Sequence, residues 1–370
     1  MTRGYVPLTV SIGGLLAIAS AVGTWPEAIP VTQGVALPFV ALGVLTIALA
    51  GGVYLGFIPL RPASGVFILL GFGLMGLGAY GYYHYLLDEI TAILWSFIAF
   101  LGGGIFVIGG VAGWLEIDSS RFSRKTIQAT LMTAVGFGGL VAVFIWGFIL
   151  ATIWILISGD MLDDMELIAI STISLGLGMA TAAGLFLLGA NRSRSFIDLR
   201  RPTLRDVAWT IGGLIGLFMA LIAIAIVLEQ LQAPSPEHDI VETVRDGDPN
   251  VLLYILIPAS ILIIGPGEEL LFRNIVQKSL YDYFSRPGAV VVASVIFALV
   301  HIPAYGMAEA GSAVLVVFIL SLLLGGIYAR TENLVVPALI HGLYNALLFL
   351  FLYIELTMDE VPGMLPGLII

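Results

Sequence analysis

The chain is a succession of long apolar runs almost free of charge, and nothing else in it restricts the fold so strongly. A helical span of the hydrocarbon core takes about 20 predominantly apolar residues. About eleven segments meet that need, at 6–24, 35–58, 64–86, 91–114, 127–157, 167–190, 207–228, 251–283, 288–305, 312–329 and 334–356. In lipid every backbone polar group has to be satisfied internally, and runs of this length do so as helices. Composition agrees: 59% of the 370 residues are hydrophobic and 11% are charged, against about 25% charged in a soluble domain. The expectation is an all-α, polytopic integral membrane helix bundle. The fifth run is long enough to tilt or to extend beyond the bilayer.

Loop charges set the orientation. Cytoplasmic loops carry an excess of Lys and Arg. With the N-terminus and Arg3 inside, the inner loops hold Arg61, then Arg121, Arg124 and Lys125, then Arg192, Arg194, Arg200, Arg201 and Arg205, then Lys278 and Arg286, and last Arg330. The outer loops hold Glu27, Asp88 and Glu89, then Asp160, Asp163, Asp164 and Glu166, then the acidic stretch after Glu229, Glu309, and Asp359 and Glu360. Arg245 is the one clear basic residue outside. The alternation predicts a multi-pass protein of the cell membrane, N-terminus cytoplasmic and C-terminus outside. Val6 to Val22, with Trp25-Pro26-Glu27 shortly after it, reads as the first span and not as a secretory signal to be removed.

The longest polar stretch, Glu229 to Asn250, contains Pro234, Pro236 and Pro249 and is the best internal boundary. It divides an accessory region of about seven helices (1–228) from a core of about four (251–357), with 229–250 an acidic extramembrane loop and 358–370 a tail. The absence of cysteine excludes disulfides, Cys-ligated zinc, iron–sulfur clusters and cysteine nucleophiles. The formal charge is −10, with Lys125 and Lys278 the only lysines; acid excess with scarce lysine resembles the composition of proteins from high-salt organisms. No basic patch stands out beyond the needs of topology, so no nucleic-acid partner is expected.

Chemistry concentrates after the acidic loop. Glu268, Glu269, Arg273, His301, His341 and Asn345 lie inside or beside apolar runs. Charge at bilayer depth costs about 2.5–3.5 kcal/mol per residue on insertion scales, so such residues are functional candidates by default. At about 1.5 Å per residue, Glu268, His301 and Asn345 reach similar middle depths on three separate helices. The run Ile264-Gly265-Pro266-Gly267-Glu268-Glu269 predicts a broken helix, with the acids in the first turn of a new one, where the dipole favours negative charge. Arg273 is four residues after Glu269 and shares its face, as Asn345 does with His341. A glutamate beside a histidine deprotonates water, and a second histidine with an asparagine can donate to an oxyanion. Together they suffice for peptide hydrolysis without a Ser or Cys nucleophile. Histidine and glutamate also suit zinc, although the His-Glu-x-x-His spacing is absent. Blander roles stay open: Glu269 and Arg273 as a structural ion pair, Glu268 as a helix cap, Asn345 as interhelical glue.

Glu268-Glu269-Leu-Leu-Phe-Arg273, Phe297-Ala-Leu-Val-His301 and His341-Gly-Leu-Tyr-Asn345 match, in order, the E-E-x-x-x-R, F-x-x-x-H and H-x-x-x-N/D motifs of the CPBP family, the CAAX-protease and bacteriocin-processing intramembrane endopeptidases. The chain resembles that family over about 251–356. One departure is Asn274, where many members carry glycine. The resemblance implies that Glu268 activates the water with His301 assisting, that Glu269 is held by Arg273, and that His341 and Asn345 form the oxyanion side. It implies an intramembrane glutamic endopeptidase of the type II CAAX prenyl endopeptidase kind, acting on a membrane-embedded or lipid-modified peptide within the lipid bilayer. No cofactor is required on this reading; a divalent metal is the less favoured alternative. The competing classes are a non-catalytic membrane scaffold or immunity protein, and a transporter using the same polar pocket.

Overall fold

The computed structural model describes residues 2–23, 30–85, 90–233, 236, 238–305 and 310–358. Glu27, Asp88, Glu89, Glu309, Asp359 and Glu360, and with them the tail from 359, lie outside the described residues. The described residues are mostly helical, and among them there is no strand beyond one isolated bridge. The helices are α1 (Thr2–Gly23), α2 (Pro30–Tyr54), α3 (Leu60–Tyr85), α4 (Ile90–Trp114), α5 (Ser119–Ser158), α6 (Asp164–Gly189), α7 (Leu204–Gln230), α8 (Asp239–Asp246), α9 (Leu252–Leu280), α10 (Arg286–Val300), α11 (Ala310–Thr331) and α12 (Val335–Thr357). Eight are long and apolar enough to cross a membrane by length and composition, and three further stretches, in α1, α2 and α4, are shorter and apolar. The protein is a multi-pass membrane bundle.

Two compact units divide the chain, 1–126 and 127–370. The first is built from α1 to α4 around Val6, Val10, Ala17, Phe39, Phe67, Leu74 and Phe106. Its helices approach very closely: a Cβ on Gly103 would stand 2.6 Å from the Gly71 carbonyl oxygen. Small residues permit such contact where lipid offers no hydrophobic drive for helices to associate.

The second unit carries α6 to α12 and most of α5. The long α5 buries only Met132, Gly136 and Gly139, while Phe144 and Phe148 are 65% and 75% exposed. In water such a face would be a liability; in lipid it is solvated. A capping box starts α6, in which Asp163 Oδ1 accepts from Glu166 N at 2.7 Å and Glu166 Oε2 accepts from Asp163 N at 3.1 Å. The apolar faces of α7, α11 and α12 meet through Leu217, Leu221, Leu320, Leu324, Ile340 and Tyr344. The polar stretch after Glu229 is not all loop. It contains α8, whose Val241 and Val244 pack on Ile168, Leu252, Leu256 and Leu352.

The predicted helix break does not occur. From Leu252 to Leu280 the backbone stays helical, alternating α turns with three wider π turns, Leu252–Leu256, Ser260–Ile264 and Leu270–Gln277. Pro266 has no N–H to offer, and it follows directly on a wide turn where the α ladder is already interrupted. The glycines serve contact instead. A Cβ on Gly265 would lie 2.7 Å from Ala338 O and Gly342 N, and one on Gly342 would lie 2.6 Å from Ser260 O. Helices α9 and α12 therefore touch backbone to backbone beside the two glutamates.

Contacts also define the two ends of this unit. At one, Lys278 pairs with Asp198 at 2.6 Å, Arg192 with Asp282 at 3.6 Å, and Arg286 with Glu332. At the other, Arg245 approaches Glu355 at 3.9 Å, and His238 bridges to Tyr305. Asp163, Asp164 and Asp248 share one recess there.

Candidate active site

Helix α9 presents its polar residues inward. Glu269, Arg273, Asn274 and Gln277 are fully buried, and Glu268 nearly so. The π turn from Leu270 to Gln277 makes this possible, because widening the helix brings Arg273, Asn274 and Gln277 into the interior within one stretch. Wide turns of this kind occur often at functional sites.

Glu269 has both oxygens engaged. Arg273 Nε donates to Oε2 at 2.8 Å, and His341 Nδ1 lies 3.0 Å from Oε1. Arg273 is held in turn by Ser321, its Nη1 donating to Oγ at 3.0 Å, and its guanidinium lies over the Phe297 ring, 4.7 Å from the centroid. The charge on this buried carboxylate is thus balanced within its own helix, and the carboxylate fixes the imidazole of α12.

Glu268 is placed differently. Its Oε2 is buried and makes no hydrogen bond among the described residues. The nearest groups are His301 Nε2 at 3.5 Å and His341 Nε2 at 4.0 Å. His301 caps the C-terminus of α10, and its Nδ1 is 2.7 Å from the Phe297 carbonyl oxygen. A carbonyl only accepts, so this Nδ1 carries the proton and Nε2 faces Glu268. The Phe297 ring also packs against His301, with centroids 4.3 Å apart, and stands edge-on to Phe272.

Four of the expected groups, Glu268, Glu269, Arg273 and His341, thus form one buried cluster, with the half-buried His301 at its edge. Asn345 lines the same cavity, of about 540 Å³, as Glu268, His301 and His341. His341 departs from its expected placement only in being tied to Glu269 as well as facing Glu268. Sequence reasoning missed Ser321, whose one signal is a hydroxyl inside the apolar run of α11. It also missed what surrounds Asn274: its Nδ2 donates to Tyr328 OH at 2.9 Å, and that hydroxyl donates to Asp198 Oδ2 at 2.7 Å. Among the described residues no three His, Cys, Asp or Glu side chains are arranged to hold a metal ion. Chemically, the arrangement offers an unbonded carboxylate oxygen between two oriented imidazoles, in a cavity walled largely by apolar side chains such as Phe144, Leu175, Leu217 and Phe349, with Ser171, Thr172 and Ser321 among them.

Residues 250–347 match the family model described as type II CAAX prenyl endopeptidase Rce1-like. No curated protein and no solved structure matches the chain.

Proposed function

Residues 250–347 belong to the type II CAAX prenyl endopeptidase Rce1-like family, and from that premise we propose that this membrane protein is an intramembrane endopeptidase that hydrolyses a peptide bond with a glutamate-activated water. The observation that carries the reading is the buried, unbonded Oε2 of Glu268, facing two histidine Nε2 atoms whose rings are each anchored through Nδ1.

A separation of 3.5 to 4.0 Å is too long for a good direct hydrogen bond, and it suits a water held between carboxylate and imidazole. The water gives a proton to Glu268 while its oxygen attacks the peptide carbonyl carbon. The carbonyl oxygen becomes an oxyanion, stabilised by hydrogen bonds from the Asn345 amide and from the His341 imidazole that Glu269 holds in place. The tetrahedral centre then expels the amine: the C–N bond breaks, and the proton passes from Glu268 to the leaving nitrogen with His301 assisting. Water is consumed and an acid and an amine result, with no covalent enzyme intermediate. Glu269 and Arg273 touch no substrate on this account; they position His341. The reading needs no metal. The apolar walls suit a lipid-modified (CAAX-like) or otherwise membrane-bound peptide.

The test is cleavage of a panel of membrane-tethered and prenylated peptides by purified protein in lipid. Cleavage by the wild type, lost in Glu268→Ala and resistant to a chelator, is the expected result. Sensitivity to the chelator would put a metal in the mechanism. Equal behaviour of the two proteins would leave the cluster without a catalytic role and favour a scaffold.

A further inference from the structure

The lining of the cavity reaches one end of the helices and not the other, and the charges of the chain say which side of the membrane that end faces. The groups at its rim are His238, Ile240, Pro303, Ala304 and Tyr305. They come from the start of α8 and the turn after α10. Backbone bonding between His238 and Tyr305, with rings 5.3 Å apart, joins the two segments above His301. None of the lining residues comes from 190–205, 278–286 or 330–334, the segments knit together at the opposite end by the Lys278–Asp198, Arg192–Asp282 and Arg286–Glu332 pairs.

Those closed-end segments carry eight basic residues, Arg192, Arg194, Arg200, Arg201, Arg205, Lys278, Arg286 and Arg330. The rim end carries Arg245 against Asp160, Asp163, Asp164, Glu166, Asp248 and Glu355, among other acids. Loops rich in Lys and Arg stay on the cytoplasmic side. By that rule the basic end, which the lining does not reach, is the cytoplasmic one.

We infer that the Glu268–His301–His341 cavity is entered from the non-cytoplasmic side, so that the peptides it takes are those presented at the outer leaflet or emerging there. The orientation holds whatever the cavity does; the statement about peptides rests on the peptidase reading.

The chain contains no cysteine, so single thiols report without background. Three variants of the full-length protein, each expressed in sealed cells, decide the question: Asn345→Cys inside the cavity, Ala304→Cys at the rim and Ser195→Cys at the closed end. A small anionic, membrane-impermeant thiosulfonate is applied before and after permeabilisation, and modification is read by loss of later maleimide labelling. The expected result is that Asn345→Cys and Ala304→Cys react in sealed cells at least tenfold faster than Ser195→Cys, which reacts only once the membrane is opened. Asp248→Cys, exposed at the rim end, replaces Ala304→Cys if that variant does not accumulate. Reaction of Ser195→Cys in sealed cells, with Asn345→Cys protected until permeabilisation, would overturn the inference. Labelling does not depend on activity, so failure of the orientation and failure of the peptidase reading are separable.

Discussion

Two adjacent glutamates have opposite environments, and the chemistry follows from that difference. Glu269 is bound on both oxygens by Arg273 and His341, while Glu268 keeps one oxygen unbonded. Removing one partner of a buried ion pair strands the other charge, which costs about 3–5 kcal/mol. Arg273→Met should therefore lower the unfolding temperature sharply, with activity lost as a consequence of instability. Ser321→Ala removes one acceptor from the guanidinium and should cost about 1.5–3 kcal/mol, the range for a hydrogen bond to a charged group. Both are read by thermal unfolding in detergent; an unchanged midpoint for Arg273→Met would mean that the pair is not needed to hold Glu269. Five of the six candidate residues stand out in the sequence because charge and imidazole are rare in apolar runs, and Asn345 is marked by its spacing of four from His341. Ser321 and the Asn274–Tyr328–Asp198 chain were not legible. Their partners lie 48 to 130 residues apart, and a lone hydroxyl in a membrane helix carries no mark of what it touches.

At the scale of the helix, Gly-Pro-Gly reads by local propensity as a break, and tertiary contact overrides it. The wide turn at Ser260–Ile264 accommodates Pro266, and the glycines let α9 lie against α12. Gly265→Ala would place a methyl group 2.7 Å from the Ala338 carbonyl oxygen and from Gly342 N. Backbone cannot yield as a side-chain end does, so the helices must separate. Overpacking of this kind costs about 1–3 kcal/mol. Because His341 immediately precedes Gly342, the same separation pulls its imidazole from Glu269. Gly265→Ala should lose activity beyond its loss of stability, measured as residual cleavage at a temperature where the variant is still folded. Full activity in a folded variant would show that the contact only packs. The three wide turns were invisible in the sequence, since hydrophobic periodicity does not distinguish a π turn from an α turn. The long helices were legible from run length alone, whereas the short polar α8 was not.

Over the whole molecule, charge is sorted to the ends and a net −10 remains. Raising salt from 0.1 M to 1 M shortens the screening length from about 10 Å to about 3 Å. Exposed ion pairs such as Arg286–Glu332 and Arg192–Asp282 contribute little to begin with, so relief of repulsion among the acids should dominate. The unfolding temperature should rise with potassium chloride over that range; a fall would mean that surface pairs outweigh the repulsion. The compact units meet at 126/127, just inside α5, whereas the most polar stretch lies at 229–250. Composition marks where the chain leaves the bilayer, and packing decides which helices belong together. The division of labour at the centre is tested most directly by comparing Glu268→Gln and Glu269→Gln in one lipid preparation, for peptide cleavage and for unfolding temperature. The account predicts that Glu268→Gln keeps the wild-type midpoint and loses cleavage by about 10²–10⁴-fold, the usual worth of a general base, whereas Glu269→Gln unfolds several degrees lower. Cleavage surviving in folded Glu268→Gln would contradict it.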